Sequence, residues 1–330
     1  MLKDYRVAFL KPCTASLITR DFDETTGEGE IFGRNILSMI STGSERGGFT
    51  SEYAPSCYPM ETGYSSIGQV ISVGEGVTGF KPGDLFYHDG HHNLYVKAKA
   101  NDVITLPEGI ILEEALFGRF AAVTMTSMFH SKSKPVDNVV VTGLGLVGLM
   151  GAQMLKNFGY CVYGIDPSAD RRNVAKKSGL ENVAESIDEW PKLKGKVAVL
   201  YECSDNEKAL SSVISYMRKG GEVFQVGVPW EKTSDWDAHT LLYSIFYGFI
   251  SVHSGFEWSI PRKEDDFHSH SNYSHIRTAM EMIADGRVKI ADDMYELRDP
   301  RECGQVYQEI LIPRMKPTSI MFDWRNFIED

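Results

Sequence analysis

Ten consecutive residues constrain this chain more than any others: Val139-Val140-Val141-Thr142-Gly143-Leu144-Gly145-Leu146-Val147-Gly148. The β-branched run reads as a buried strand, and it ends in glycines spaced G-x-G-x-x-G that lead into the helical pattern LVGLMGAQMLKNFG. In that context Gly143 permits a tight turn, Gly145 lets the backbone approach a pyrophosphate, and Gly148 lets helix and strand pack closely. Leu146 and Val147 open a helix whose first N–H groups and positive dipole end suit an anion. The units that follow, CVYGID, a charged helix, VAVLYEC, EKALSSVISYMRKGG and EVFQVGV, alternate strand and helix and predict a doubly wound parallel sheet.

The second strand ends at Asp166, where a carboxylate accepts hydrogen bonds from an adenosine ribose and repels a 2′-phosphate, which predicts NAD in preference to NADP. Arg171 and Arg172 either soften that preference or form a solvated helix face. Val226-Gly227-Val228 close a strand at the carboxyl edge of the sheet, the edge expected to take the nicotinamide end.

Before this region the texture is all-β: YRVAFL, EIFGRNILSMI, SIGQVISVG, DLFYH and LYVKAK are separated by Gly-, Pro- and Asp-rich links. After Ser259 come a polar stretch, an amphipathic helix around HIRTAMEMIADG and a strand-rich tail ending SIMFDW. A length of 330 residues suits about two domains. Thirty-four Lys and Arg against 45 Asp and Glu give a net charge of −11, a field that repels nucleic acid and anionic lipid. Cys13, Cys57, Cys161, Cys203 and Cys303 are too dispersed for a disulfide framework or a zinc knuckle, which fits a reducing compartment. The amino-terminal apolar run is too short for a signal peptide, and Leu241–Val252 is too short and polar to span a bilayer, so the expectation is a soluble cytoplasmic protein with neither nucleic-acid nor membrane partners.

GYSSIGQVISVGEGVTGFKPGD from Gly63 to Asp84, EEAL at Glu113, Thr124 and KPVDNVVVTGLGLVGL together resemble the medium-chain dehydrogenase/reductase superfamily of zinc-type alcohol dehydrogenases. The resemblance implies an α/β protein: a GroES-like β-barrel catalytic domain of residues 1–118 and 259–330, and a Rossmann NAD-binding domain of residues 119–258. It also implies that Thr124 borders the coenzyme. Family members of the zinc type hold their metal through a Cys in a CGTD-like turn, the His and Glu of GHE, and a later Cys, Asp or Glu. This chain has Thr42-Gly43-Ser44-Glu45, Tyr64-Ser65 and Gly118-Arg119 at those places, and the four-cysteine lobe is missing. With ISTGSERGGF and the FDW ending, it is similar to a zinc-free branch typified by bacteriochlorophyllide a dehydrogenase. No metal is expected.

A protein group must then handle the proton that zinc normally helps to remove. Family register places Tyr64, His92, Glu45, Arg46 and Arg119 around the vacated position. Tyr64 ranks first as acid or base, and His92 is either the base, a relay, or a hydrogen-bonded wall residue. Glu45 and Arg46 serve the reaction or form an ion pair that holds the turn, and Arg119 neutralises Glu45 or a substrate carboxylate. Thr42, Ser44, Arg46, His253 and Trp258 are expected at the substrate, with His270 nearby. His268, His270 and His275 imitate a metal pattern but sit among Ser and Asn, which favours a loop. Phe49, Tyr58, Trp230 and Trp258 either line a stacking pocket or belong to the core. The family commonly dimerises through its last Rossmann strands, and YSIFYGFISVHSG is apolar enough to do so. The resulting expectation is a homodimeric, NAD-dependent dehydrogenase of a secondary alcohol such as a polyol, cyclitol or sugar derivative. The alternatives are a zinc-free NADPH-dependent quinone or enone reductase, or a non-catalytic dinucleotide-binding protein.

Overall fold

The structure is a computed structural model, and it describes residues 1–51, 57–230, 232–312 and 319–328. Along the chain, the first elements are β1 (Leu2–Lys11), β2 (Thr14–Phe22), β3 (Glu30–Met39), α1 (Thr42–Thr50), β4 (Met60–Glu61), β5 (Ser66–Val73), β6 (Leu85–His88), β7 (Tyr95–Lys99), β8 (Ile104–Thr105) and α2 (Leu112–Ala115). The middle of the chain forms α3 (Phe117–His130), β9 (Asn138–Thr142), α4 (Leu146–Asn157), β10 (Cys161–Ile165), α5 (Ala169–Lys177), β11 (Val183–Ala184), β12 (Val197–Glu202), α6 (Glu207–Ile214) and β13 (Met217–Gln225). It continues with α7 (Ala238–Gly248), β14 (Ser251–Ser254) and α8 (Asn272–Ala284), and the tail adds β15 (Tyr295–Arg298), α9 (Cys303–Glu309) and β16 (Ser319–Asp323).

Two compact units result. The first comprises Met1–Leu116 with Asp292–Asp330, and the second Phe117–Ala291. In the first, an antiparallel sheet runs β2-β1-β4, and a larger sheet runs β15-β16-β3-β5-β6-β8 with β7 on β3. Its core joins Phe9, Phe32, Phe49, Tyr307, Phe322 and Trp324, side chains drawn from both ends of the chain. The second is a six-stranded sheet ordered β11-β10-β9-β12-β13-β14, and all of its pairings are parallel. Val139, Val140 and Val141 are completely buried at its centre, as a strand covered on both faces requires.

Three sequence expectations need correction, and one strand goes unread in the sequence. Residues 259–291, expected with the barrel, belong to the second unit because α8 buries Ile276, Ala279 and Met280 there, Met280 against Gly118 of α3. TASLITRDF, unassigned from its pattern, is strand β2, because β1 supplies a full antiparallel partner from Leu2↔Phe22 to Lys11↔Thr14. The helix read through EKALSSVISYMRKGG stops at Ile214, and Met217 already pairs with Val197 in the sheet. YSIFYG is the end of helix α7, capped at Asp237, so only Ser251–Ser254 remains as edge strand.

Candidate functional site

In the second unit, the glycine turn has the geometry its spacing predicts. Gly143 adopts φ +79°, and a Cβ there would fall 2.6 Å from Ser204 Cα. At Gly148 a Cβ would lie 1.8 Å from the Gly143 carbonyl oxygen, so only glycine allows α4 to leave the strand this closely. Gly145 has open space except for the Arg171 guanidinium, which would stand 3.7 Å from a Cβ placed there. No side chain caps the first turn of α4, whose leading N–H groups lack intrahelical partners. Leu146 is buried and Val147 half-buried as that helix begins.

Asp166 is 2% exposed, and its carboxylate is turned onto this turn. One oxygen accepts the Leu144 N–H at 2.9 Å and the other accepts the Ser168 N–H at 2.7 Å. Arg171 Nη1 lies 3.5 Å from Asp166 Oδ2, while Arg172 donates to the Asp166 carbonyl at 2.7 Å and pairs with Glu185 at 3.3 Å. Neither arginine is a freely solvated face, and Asp166 organises its own loop before it can meet any ribose.

The carboxyl edge of the sheet is tied together by Glu202, a residue that sequence reasoning missed. Its main-chain oxygen accepts the N–H groups of Val226 and Gly227, both at 2.8 Å. Its buried carboxylate accepts from Ser204 N–H at 2.8 Å, Gln225 Nε2 at 2.6 Å and Thr142 Oγ1 at 3.3 Å. Burial pushes this carboxyl above its ordinary value, against the hydrogen bonds. Gly227 is required because a Cβ would meet Asp205 Oδ1 at 2.4 Å, and Val228 is 48% exposed beside it.

In the first unit, α1 has the sequence TGSERGGFT, whose three glycines make it a poor helix on propensity alone. Glu45 compensates by reaching back to accept the Ser41 N–H at 2.7 Å, which satisfies a main-chain donor at the start of the helix. The same carboxylate accepts from Thr62 Oγ1 at 2.7 Å, from the Tyr307 hydroxyl, and from His92 Nε2 at 3.2 Å. Trp324 Nε1 donates to Ser38 Oγ at 2.9 Å, and Ser38 Oγ lies 2.8 Å from His92 Nδ1. Because indole only donates, the Ser38 proton is free for Nδ1, which leaves the imidazole proton on Nε2 facing Glu45. Burial alone would raise the Glu45 carboxyl, but His92 and the hydrogen bonds from Tyr307 and Ser41 outweigh it and hold the group below its ordinary value. Burial and Glu45 push the Tyr307 phenol well above its ordinary value.

This arrangement has the form of the structural alternatives left open for two residues, the hydrogen-bonded wall residue for His92 and the holding of the turn for Glu45. His92 is fully buried with both ring nitrogens engaged, and Glu45 is 4% exposed with both oxygens engaged, so they brace the turn and present no group to a substrate. Tyr64 differs: half-buried, it hydrogen-bonds Ser41 Oγ and, at 3.3 Å, the exposed Ser44 Oγ. The structure therefore brings Tyr64 together with Ser44, from the expected set, and with Ser41, which the sequence reading overlooked. Ser41-x-x-x-Glu45 is a local signal that could have found Ser41, whereas nothing local announces Tyr307, 262 residues from Glu45. Thr42 and Arg46 are half-buried on the same helix.

Other expected site residues serve elsewhere. Arg119, 3% exposed on α3, is engaged through both terminal nitrogens by Glu257, which sequence reading also missed, and its guanidinium stands 5.8 Å from the ring of Trp258. Thr124 is 1% exposed and packs into the α3–α4 crossing, where a Cβ at Gly151 would fall 2.2 Å from its hydroxyl. His253 stacks on Phe224 at 4.8 Å and faces Glu222 at 3.5 Å along the β14 edge, which gives it a structural setting. Phe49 is core, and Tyr58 anchors its hydroxyl on the Gly48 carbonyl at 2.9 Å. Trp230 is half-buried after β13. His268 lies in a loop with Asp265 at 2.8 Å, but His275 is buried in α8, stacked on Phe129 at 4.9 Å. Among the described residues no group of three or more His, Cys, Asp or Glu is arranged to hold a metal, and no helix is long and apolar enough to cross a membrane.

Comparison with known proteins agrees with this architecture. Residues 147–254 match the family model described as zinc-binding dehydrogenase. A sorbitol dehydrogenase of Halalkalibacterium halodurans is 28% identical over 53% of this chain and 62% of its own length. A D-arabitol-phosphate dehydrogenase of Enterococcus avium is 25% identical over 66% of this chain and 74% of its own. The chain spans 62%, 60% and 63% of the length of the sorbitol and threonine dehydrogenases it matches. Among solved structures, acetophenone reductase of Geotrichum candidum in complex with NAD shares the fold with a TM-score of 0.78 at 14% identity, covering 98% of both chains. The match to the zinc-binding dehydrogenase model over residues 147–254 and the fold shared with this solved structure make the chain similar to the zinc-type dehydrogenases, with the family match itself confined to the parallel-sheet unit.

Proposed function

We propose that this chain is a zinc-independent, NAD-dependent dehydrogenase of a secondary alcohol, of the polyol, cyclitol or sugar type, that works in the cytoplasm as a homodimer. The observation that carries this reading is the glycine turn, where Gly143, Gly145 and Gly148 leave room for a pyrophosphate against the uncapped start of α4. Asp166 supports NAD, since a carboxylate offers about four acceptor sites and only three are used, by Leu144, Ser168 and Arg171. Relatives named sorbitol and D-arabitol-phosphate dehydrogenase support the substrate class.

The residues do not suit the zinc that the family name implies. Thr42, Tyr64 and Ser65 offer no thiolate or imidazole, and the Glu45 carboxylate is committed to Ser41, Thr62, His92 and Tyr307. The bound dinucleotide supplies the hydride acceptor. For the proton, Tyr64 is the group we assign: as its oxygen takes the hydroxyl proton from the alcohol, its own proton passes to Ser44 Oγ, which is exposed and releases one to water. Ser41 and the first turn of α1 hold the phenol in place, and Glu45 holds Ser41.

An alcohol panel with NAD and metal analysis of the purified protein test this. Turnover that survives chelator and falls by about 10²-fold or more in Tyr64→Phe is expected; stoichiometric zinc, or activity abolished by chelation, defeats it. Homodimer formation is supported by the apolar side chains of α7 and β14, with Leu242, Phe246 and Phe249 each more than 60% exposed. Light scattering at the mass of two chains is the expected result.

A further inference from the structure

The segment that leaves β14 is pressed against the strand end expected to take the nicotinamide. Gly255 donates its N–H to the Gln225 carbonyl at 2.7 Å, and a Cβ on it would fall 2.7 Å from Val226 Cα, so the chain turns there in direct contact with the end of β13. Trp258 follows in a short helical turn over Glu257–Ser259, and 48% of its surface is exposed. Neighbouring groups fix this segment. Arg119, 3% exposed, holds the Glu257 carboxylate through both terminal nitrogens, and Asn272 Nδ2 donates to the Glu257 carbonyl at 3.4 Å. At the start of α8, the Asn272 and Tyr273 N–H groups donate to the Pro261 and Arg262 carbonyls at 3.0 and 3.1 Å. The Arg119 guanidinium also lies over the indole, 5.8 Å from the ring centroid. Trp258 is therefore backed by a buried cation that Glu257 neutralises, and much of its ring is left open on the segment that touches Val226.

We propose that Trp258 is a specificity-determining residue that selects cyclic over open-chain polyols, stacking one face of the substrate ring on its open indole surface while the Arg119–Glu257 pair positions it. The negative face of an indole attracts C–H groups that neighbouring oxygens leave partly positive, and a closed carbon ring presents several of them on one rigid side. An open chain must freeze several rotors to cover the same area. The proposal rests on the secondary-alcohol reading above and narrows its substrate class to a ring.

NAD-linked oxidation of myo-inositol and methyl glucoside, set against sorbitol and xylitol, tests this on the full chain. Wild type is expected to favour the better cyclic substrate by about tenfold or more in kcat/KM. Trp258→Ala is expected to lower that ratio by about tenfold and Trp258→Phe to restore most of it, with circular dichroism confirming that both variants are folded. Glu257→Gln, which removes the charge that holds Arg119, is expected to raise KM for the cyclic substrate more than it lowers kcat, as a positioning role requires. Open-chain polyols oxidised as well as the cyclic ones overturn the proposal, and so does a ratio that Trp258→Ala leaves unchanged. If no alcohol on the panel is oxidised, the dehydrogenase reading itself fails, an outcome distinct from turnover without a ring preference.

Discussion

His92 and His275 are equally buried, one in each unit, and they do opposite things. The first sits in a closed network in which Trp324, Ser38, Glu45, Thr62, Tyr307 and the Ser41 N–H satisfy one another. The second lies flat on Phe129, and among the described residues neither of its ring nitrogens has a hydrogen-bond partner. Burial by itself therefore says little about what a titratable side chain contributes; the partners decide whether it binds the fold together or weakens it at some pH. A third kind of setting is that of the half-buried Tyr64 hydrogen-bonded to the exposed Ser44, open to solvent where His92 and His275 are closed off.

Four experiments break or sharpen this contrast. The largest effect is expected where the network is closed: Glu45→Ala leaves His92, Thr62, Tyr307 and the Ser41 N–H without their acceptor and should cost about 3–5 kcal/mol in urea unfolding. A loss below about 1 kcal/mol would mean that the network adds little beyond packing. Next comes Gly148→Ala, whose Cβ cannot coexist with the Gly143 carbonyl 1.8 Å away. A cost of about 1–3 kcal/mol is expected, together with loss of NADH binding, read by thermal shift with and without nucleotide.

His275 supplies the third test. Burial, with a contribution from His270, lowers its value from 6.5 to about 4, so the folded protein resists a proton that the unfolded chain accepts. Stability contributed by the neutral form is intact above pH 6.5 and is lost as pH falls from 6.5 toward 4. At one pH unit below the unfolded value the loss is about 1.4 kcal/mol, and His275→Phe should flatten that part of the stability–pH curve. An unchanged slope would show that the imidazole finds a partner on protonation. The smallest effect on the fold belongs to Tyr64→Phe, about 0.5–1 kcal/mol in the same urea assay, because the side chain is only half-buried and water can replace its hydrogen bonds. A large loss there would move Tyr64 from the open class to the closed one.

Legibility in the sequence followed the range of the interactions. The strand–turn–helix of Val139–Gly148 was readable because steric exclusion at Gly143 and Gly148 acts over a few residues and leaves a fixed spacing. Tyr64 and Ser44 were selected through family register, which gave their position along the chain but not their shared hydrogen bond. For His92, Glu45 and Arg119 the sequence left catalytic and structural work open between them, since the partners that occupy them, Ser38, Tyr307 and Glu257, lie 54, 262 and 138 residues away respectively. The burial of Thr124 in a helix crossing was hidden for the same reason, since no local pattern specifies its contact with Gly151.

By itself, then, the sequence determined the order of strands and helices around the glycine turn, the absence of thiolate and imidazole donors at the family's metal positions, and the net negative charge. These are properties of residue identity and short spacing. Tertiary structure alone decided which polar groups are used up and which remain available, because a hydrogen bond or ion pair in a folded chain joins atoms that approach only after long loops have closed. Asp166 and Arg171 show the division most plainly: their identities are written in the chain, while the neutralisation of one by the other exists only at 3.5 Å.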